Sequence, residues 1–168
     1  MPTAQPRPYD LVILDLDGTI LNPYERSGIS ARVAAAIRAV QEAGVPVTIA
    51  TGRTLDFVVE HLAPLGIVTP VVTTQGAVIG DPVTGHILQE WRLPGSDAHA
   101  LAAWSDEQAR VSAFFFTDEA GHIRICQNIG PGRSDFYDHV MGSPRAIVGP
   151  LGALLASKGD HAPVKYMM

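Results

Sequence analysis

At 168 residues, with 46% hydrophobic and 17% charged side chains, the chain carries enough apolar mass for one well-formed core and is tight for two complete domains. Its formal net charge is -5 and no basic cluster appears along it, which excludes the electrostatic footprint of a nucleic-acid binder. An anionic substrate would therefore need a local positive device, such as a metal ion or a helix N-terminus.

The opening MPTAQPRPYD contains three prolines and no apolar core region, so a frayed tail is expected rather than a signal peptide. Residues 11–15 (LVILD) form a continuous apolar run ending in an acid, the pattern of a strand covered on both faces. Ser30 can cap a helix with the buried stripe Val33, Ala36, Ile37 and Val40, and Gly44 stands where a helix-ending glycine belongs. VPVTIA (45–50) is a second buried strand, TLDFVVEHLAPLG (54–66) an amphipathic helix that breaks near Pro64, and PVVTT (70–74) a third strand. Strand and helix alternate with short connections, which predicts an α/β fold with a parallel sheet, right-handed crossovers and a ligand at the carboxyl ends of the strands. Asp15, Thr51 and Gln75 each fall at or just past such an end.

Near residue 80 the texture changes. AVIGDPVTGHILQEW (77–91) reads as a hairpin turning at DPVTG, and a helix capped by Ser96 or Asp97 is expected over 96–110. VSAFFFT and HIRICQ flank DEAG as a second hairpin, with AFFF (113–116) as a core strand. Residues 128–149 are rich in glycine and proline and suggest only a short helix in SDFYDHV. GPLGALLAS (149–157) is helical, and PVKYMM (163–168) is a strand. The lone Cys126 has no partner at metal-ligand spacing and reads as a buried, inert thiol. Six histidines (61, 86, 99, 122, 139 and 161) show no metal-site spacing, and Trp91 and Trp104 read as packing residues. No apolar run approaches the roughly 20 residues that span a bilayer, so no membrane partner and a cytoplasmic location are expected.

The chemistry concentrates in LDLDGTIL (14–21). A carboxylate is costly to desolvate unless it is paired, hydrogen-bonded or bound to a metal. Asp15 and Asp17, one residue apart, suit phosphoryl transfer in which one acid attacks and the other carries a proton. The same pair suits Mg²⁺, which prefers one or two carboxylates plus water and substrate phosphate. Gly18 lets the backbone turn close to a ligand. A strand end followed by a polar turn with capping aspartates is the plainer alternative.

DLDGTIL resembles the first motif of the haloacid-dehalogenase (HAD) superfamily, and IATGR (49–53) is similar to its second. VVTTQGAVI followed by TGHIL resembles the Cof-type branch, whose cap is inserted after the third strand. The resemblance implies a three-layer, Rossmann-like core over residues 1–80 and an α+β cap over 81–168. It implies a phosphohydrolase acting on small phosphorylated metabolites, such as sugar phosphates or nucleotides, through an aspartyl-phosphate intermediate with Mg²⁺. Asp15 would be nucleophile and metal ligand, and Asp17 would be acid and base with its backbone carbonyl on the metal. Thr51 would bind the phosphoryl group with the amides of Gly18 or Gly52. Arg53 would face the substrate or brace the loop, and Gln75 stands where this branch usually has asparagine.

The family's third motif, a lysine, and its fourth, an acidic metal-binding motif, normally follow the cap. Lys158 and Asp160 in SKGD (157–160) mimic them, but no buried strand precedes them, and APVKYMM resembles a closing cap strand. The core is thus expected to be incomplete, with three strands and the Asp15 strand left as an apolar edge that favours a homo-oligomer. Loss of those motifs would impair turnover. The alternative is a weak or inactive remnant that binds phosphate ligands or a protein partner. A receiver-like domain is disfavoured, because its acid would sit on the third strand, where threonines stand. In QNIGPGRSDFYD, Arg133 either contacts an anionic group from a cap loop or lies in an ordinary solvated loop.

Overall fold

The computed structural model describes residues 9–22, 28–130, 143 and 145–168. Strand β1 (Val12–Leu14) runs parallel to β2 (Val47–Ile49), with Val12 opposite Val47 and Leu14 opposite Ile49. Helix α1 (Ala31–Glu42) connects them, and the Ser30 hydroxyl accepts the Val33 N–H at 3.3 Å, satisfying one of the donors a helix start leaves open. Helix α2 (Leu55–Leu62) is capped in the same way by Thr54 and runs into a 3₁₀ turn, Ala63–Leu65, that carries the expected proline. Strand β3 (Val71–Thr73) joins through a parallel bridge between Ala50 and Val72. Strands β4 (Val78–Gly80) and β5 (Ile87–Glu90) continue antiparallel beyond it. The order is therefore β1-β2-β3-β4-β5, with the first three strands parallel. Leu16, Ile37, Ile49, Phe57, Val58 and Val71 form its core.

A second sheet has the order β8-β7-β6-β9, built from β6 (Ala113–Thr117), β7 (Ile123–Gln127), β8 (Arg145–Ile147) and β9 (Lys165–Met167). Alternation along β6 divides its side chains between two environments. Phe114 and Phe116 face α3 (Gly95–Gln108) and α4 (Leu151–Lys158), packing with Ala98, Ala102, Leu151 and Leu155. Ala113 and Phe115 face the other way, with Ile123, Ile125 and Val164, onto Val78 and Ile87 of the first sheet. Asp106 of α3 accepts the N–H groups of Leu151 and Gly152, each at 2.9 Å, and so caps α4 from a neighbouring helix.

Several expectations change. LVILD is covered on one side only: Val12 and Leu14 pack on the core, whereas Leu11 and Ile13, which alternate to the other face, are 44% and 59% exposed, and β1 pairs with β2 alone among the described residues. Trp91 and Trp104 are 48% and 42% exposed and pack far less than expected. Neither Ser96 nor Asp97 caps α3. The chain enters at Pro94, whose carbonyl accepts the Asp97 and Ala98 N–H groups. Strand β8 was not expected; its exposed residues give a weak apolar signal, and its parallel pairing with β7 is non-local. The expected SDFYDHV helix and Arg133 lie outside the described residues. No helix among the described residues is long and apolar enough to cross a membrane.

The β4–β5 hairpin straddles residue 80, where the texture changes. A Cβ placed on Gly80 would stand 2.3 Å from Cδ2 of the buried Leu55, so glycine is required there by space. Gly80→Ala is expected to lower stability by about 1–3 kcal/mol through overpacking. Urea denaturation measures it, and an unchanged midpoint would contradict this close approach.

Candidate active site

The carboxyl ends of the three parallel strands converge, since the Ala50 N–H donates to Leu14 (3.0 Å) and the Thr51 N–H to Val72 (2.9 Å). Asp15 follows β1 directly and is exposed, with no hydrogen bond or ion pair to any described residue. The chain then turns sharply: the N–H groups of Ile20 and Leu21 donate to Leu16, and Gly18 donates to Leu21 at 2.7 Å. Gly18 has φ +81 with open space around it, so here glycine answers a backbone requirement rather than a crowded neighbour.

Arg53 lies buried and turned inward. Its Nε and one terminal nitrogen donate to the two oxygens of Asp17, at 2.9 and 2.5 Å, and its guanidinium rests 4.4 Å from the Phe57 ring centroid. Such a two-pronged pair fixes both the position and the orientation of the carboxylate. Thr51 is buried, and its hydroxyl oxygen accepts the Arg53 N–H at 3.1 Å, which leaves its own proton for another acceptor. Gly52 is exposed, and its amide donates to no described residue.

The loop after β3 docks on this one through the backbone. Thr74 donates its N–H to Arg53 (2.7 Å), and Gln75 donates to Thr51 (3.2 Å). Reaching those carbonyls places Thr74, Gln75 and Gly76 at φ 54, 58 and 94 in succession. That conformation is unusual for a β-branched residue, and such outliers cluster at functional sites. The buried Thr74 hydroxyl oxygen has no hydrogen-bond partner among the described residues. Gln75 is exposed, and its side chain lies against Gly52, with Cγ 3.2 Å from where a Cβ would stand.

Asp15, Asp17, Gly18, Thr51, Gly52, Arg53 and Gln75 thus gather at one end of the sheet, although the Gly18 amide is committed to Leu21 and is withdrawn as a free donor. The exposed Asp15 carboxylate is the type of donor that Mg²⁺ takes together with water and phosphate oxygens. No group of three His, Cys, Asp or Glu side chains able to hold a metal occurs among the described residues.

Residues 12–134 match the haloacid dehalogenase-like hydrolases. The chain belongs to this family. Phosphatase YwpJ of Bacillus subtilis (strain 168) is 34% identical over 98 residues, which are 58% of this chain and 33% of that protein. A phosphoglycolate phosphatase of Methanothermobacter thermautotrophicus is 34% identical over 94 residues, or 56% of this chain and 39% of that one. This haloacid dehalogenase-like chain therefore aligns with well under half the length of either relative. A haloacid dehalogenase-like hydrolase from B. subtilis superposes with TM-score 0.70 at 23% identity, over 92% of this chain and 59% of that one. The subclass IIB sugar phosphatase BT4131 gives 0.69 at 21%, over 94% and 57%. At those identities the structures speak for the fold, a Rossmann-like core with a cap.

Two residues at the site carried no motif in the sequence. Lys165 of β9 reaches the Gly52 carbonyl, with Nζ at 3.4 Å. Asp56, in the first turn of α2, accepts the Ile123 N–H at 3.0 Å and meets His122 Nδ1 at 2.6 Å, fastening the β6–β7 turn to the first sheet. Lys158, by contrast, lies 5.4 Å from the Phe116 ring centroid, in the helix-covered layer. Burial raises the pKa of the Cys126 thiol, which suits an unreactive side chain.

The Asp56 contacts are unequal. His122 is 58% exposed and its pair is screened, whereas the bond to the Ile123 amide is partly buried. Asp56→Ala is expected to lower stability by about 1–2 kcal/mol and His122→Ala by no more than about 0.5 kcal/mol. Chemical denaturation of the pair checks this order, and the reverse ranking would contradict it.

Proposed function

We propose that this chain supplies the nucleophile, phosphoryl cradle and cap of a phosphohydrolase acting on small phosphorylated metabolites. The observation that carries the reading is the unpaired, exposed Asp15 carboxylate at the end of β1, beside the strand end that presents the Thr51 hydroxyl and the Gly52 amide. We place the division between core and cap at Trp91–Pro94, so that the β4–β5 hairpin stays with the core whose sheet it extends.

In the proposed reaction an Asp15 oxygen attacks phosphorus, the ester P–O bond breaks, and an aspartyl phosphate forms. The leaving oxygen takes a proton from Asp17. Asp17 then takes one from the water that cleaves the acyl phosphate, releasing inorganic phosphate and restoring Asp15. Arg53 holds Asp17 in place, and this ion pair must loosen as the carboxyl carries its proton. Thr51 and Gly52 donate to the phosphoryl oxygens, where charge accumulates. Mg²⁺ held by Asp15 and the Asp17 carbonyl would neutralise phosphate charge.

The engagement of both Asp17 oxygens by Arg53 also favours a second reading, a phosphate-binding module with little turnover. Hydrolysis of an aryl phosphate separates the two. Mg²⁺-dependent turnover, abolished by chelation and by Asp15→Asn, is the expected result. Phosphate binding without turnover would support the second reading, and turnover retained in Asp15→Asn would contradict both.

The exposed side chains Tyr9, Leu11 and Ile13, together with the edge of β1 left unpaired among the described residues, support association through this side of the first sheet. Sedimentation of the chain is expected to show a dimer or larger species, weakened by Ile13→Lys. A monodisperse monomer would contradict it.

A further inference from the structure

Lys165 stands apart from every other cation described near the site. It is 8% exposed, on β9 directly opposite Phe115, and both side chains project from the sheet face that packs toward the β4–β5 hairpin. Its Nζ lies 4.8 Å from the Phe115 ring centroid and 3.4 Å from the Gly52 carbonyl oxygen. No carboxylate among the described residues pairs with it. An ammonium has three donors, and here they meet one long hydrogen bond and an aromatic face. Buried charges are ordinarily paired, so this one is built for an anion that arrives. Arg53 cannot serve that anion in its place, because its guanidinium is directed at Asp17.

The position matters as much as the charge. Gly52 is the middle residue of the loop whose hydroxyl and amide face the proposed phosphoryl site, and Lys165 approaches it from the opposite layer. We propose that Lys165 is the cap's own contact to the bound phosphoryl group, a substrate-binding residue that places positive charge over the Thr51–Arg53 loop. The inference rests on the phosphohydrolase reading and adds to it a recognised group: an anionic phosphoryl held from both layers at once. Substrate binding would thereby favour the arrangement in which β9 lies on the loop. Desolvation lowers the Lys165 pKa, in keeping with an ammonium that lacks a counter-ion.

Calorimetric titration of the full chain with inorganic phosphate tests this, comparing wild type with Lys165→Met, Lys165→Arg and Lys158→Met. Lys165→Met is expected to weaken phosphate binding about ten- to a hundredfold, the worth of a charge-assisted hydrogen bond. It is also expected to leave the protein as stable as wild type or more so, because an unpaired buried charge is removed. Lys165→Arg should recover most of the affinity, and Lys158→Met should change nothing. A role confined to bridging the layers would lower stability and leave phosphate affinity untouched, overturning the proposal. The side-chain ¹⁵N resonance of Lys165 in the wild-type chain provides a check that needs no variant: it is expected to shift on phosphate addition, and a silent resonance during saturable binding overturns the proposal. If wild type binds no phosphate at all, this inference and the phosphohydrolase reading fall together. If it binds phosphate indifferently to Lys165, this inference alone fails.

Discussion

Two backbone hydrogen bonds between loops organise this molecule. Thr74 and Gln75 donate their amides to the carbonyls of Arg53 and Thr51, and to do so the chain turns through three successive left-handed residues. That docking aligns the end of β3 with the end of β2. It sets Gln75 against Gly52 and sends the chain directly into the β4–β5 hairpin. The hairpin in turn gives the second sheet its contact surface through Val78 and Ile87. The positive φ at Thr74 is thus balanced by the architecture on both sides, and its buried hydroxyl, without a partner among the described residues, adds a desolvation cost.

Electrostatics at the site is a local matter. The chain is acidic overall, with a formal net charge of -5, yet exposed charges beyond about 8–10 Å are largely screened at physiological salt. A cation at about 4 Å, in surroundings of intermediate polarity, interacts with an anion by about 4 kcal/mol. The identity of the nearest few groups therefore outweighs the net charge. Arg53 is turned to Asp17, and the Gly18 amide to Leu21. Among the described residues, the donors not turned elsewhere at this end of the sheet include the Thr51 hydroxyl, the Gly52 amide and the Gln75 side chain, and Lys165 makes only one long hydrogen bond there.

Much of this could be read along the chain because it depends on local order. The alternation of apolar strands and capped helices between residues 11 and 74 fixes a parallel sheet, and the polar residues just past each strand fall where such sheets present ligands. Lys165 could not be found in that way. Its meaning comes from the pairing of β9 with β6, Lys165 opposite Phe115, and from the stacking of one sheet on another, which brings Lys165 to Gly52 across 113 residues of chain. Arg53 was ambiguous for a similar reason: whether it turns outward or inward depends on Asp17, which reaches it through tertiary structure. The uncovered side of β1 shows the converse failure, since a continuous apolar run reports what a strand is suited to bury and not what lies over it.

The proposed cradle for a phosphoryl group lies where the two docked loops meet, beneath the second sheet. A crystal structure of the chain grown with tungstate, a phosphate mimic visible by its anomalous scattering, tests it most directly. The anion is expected over Gly52, within hydrogen-bond reach of the Gly52 amide and the Thr51 hydroxyl, with Asp15 facing its central atom. Tungstate bound elsewhere, or a Thr51–Arg53 loop without it at saturating concentration, would contradict the account.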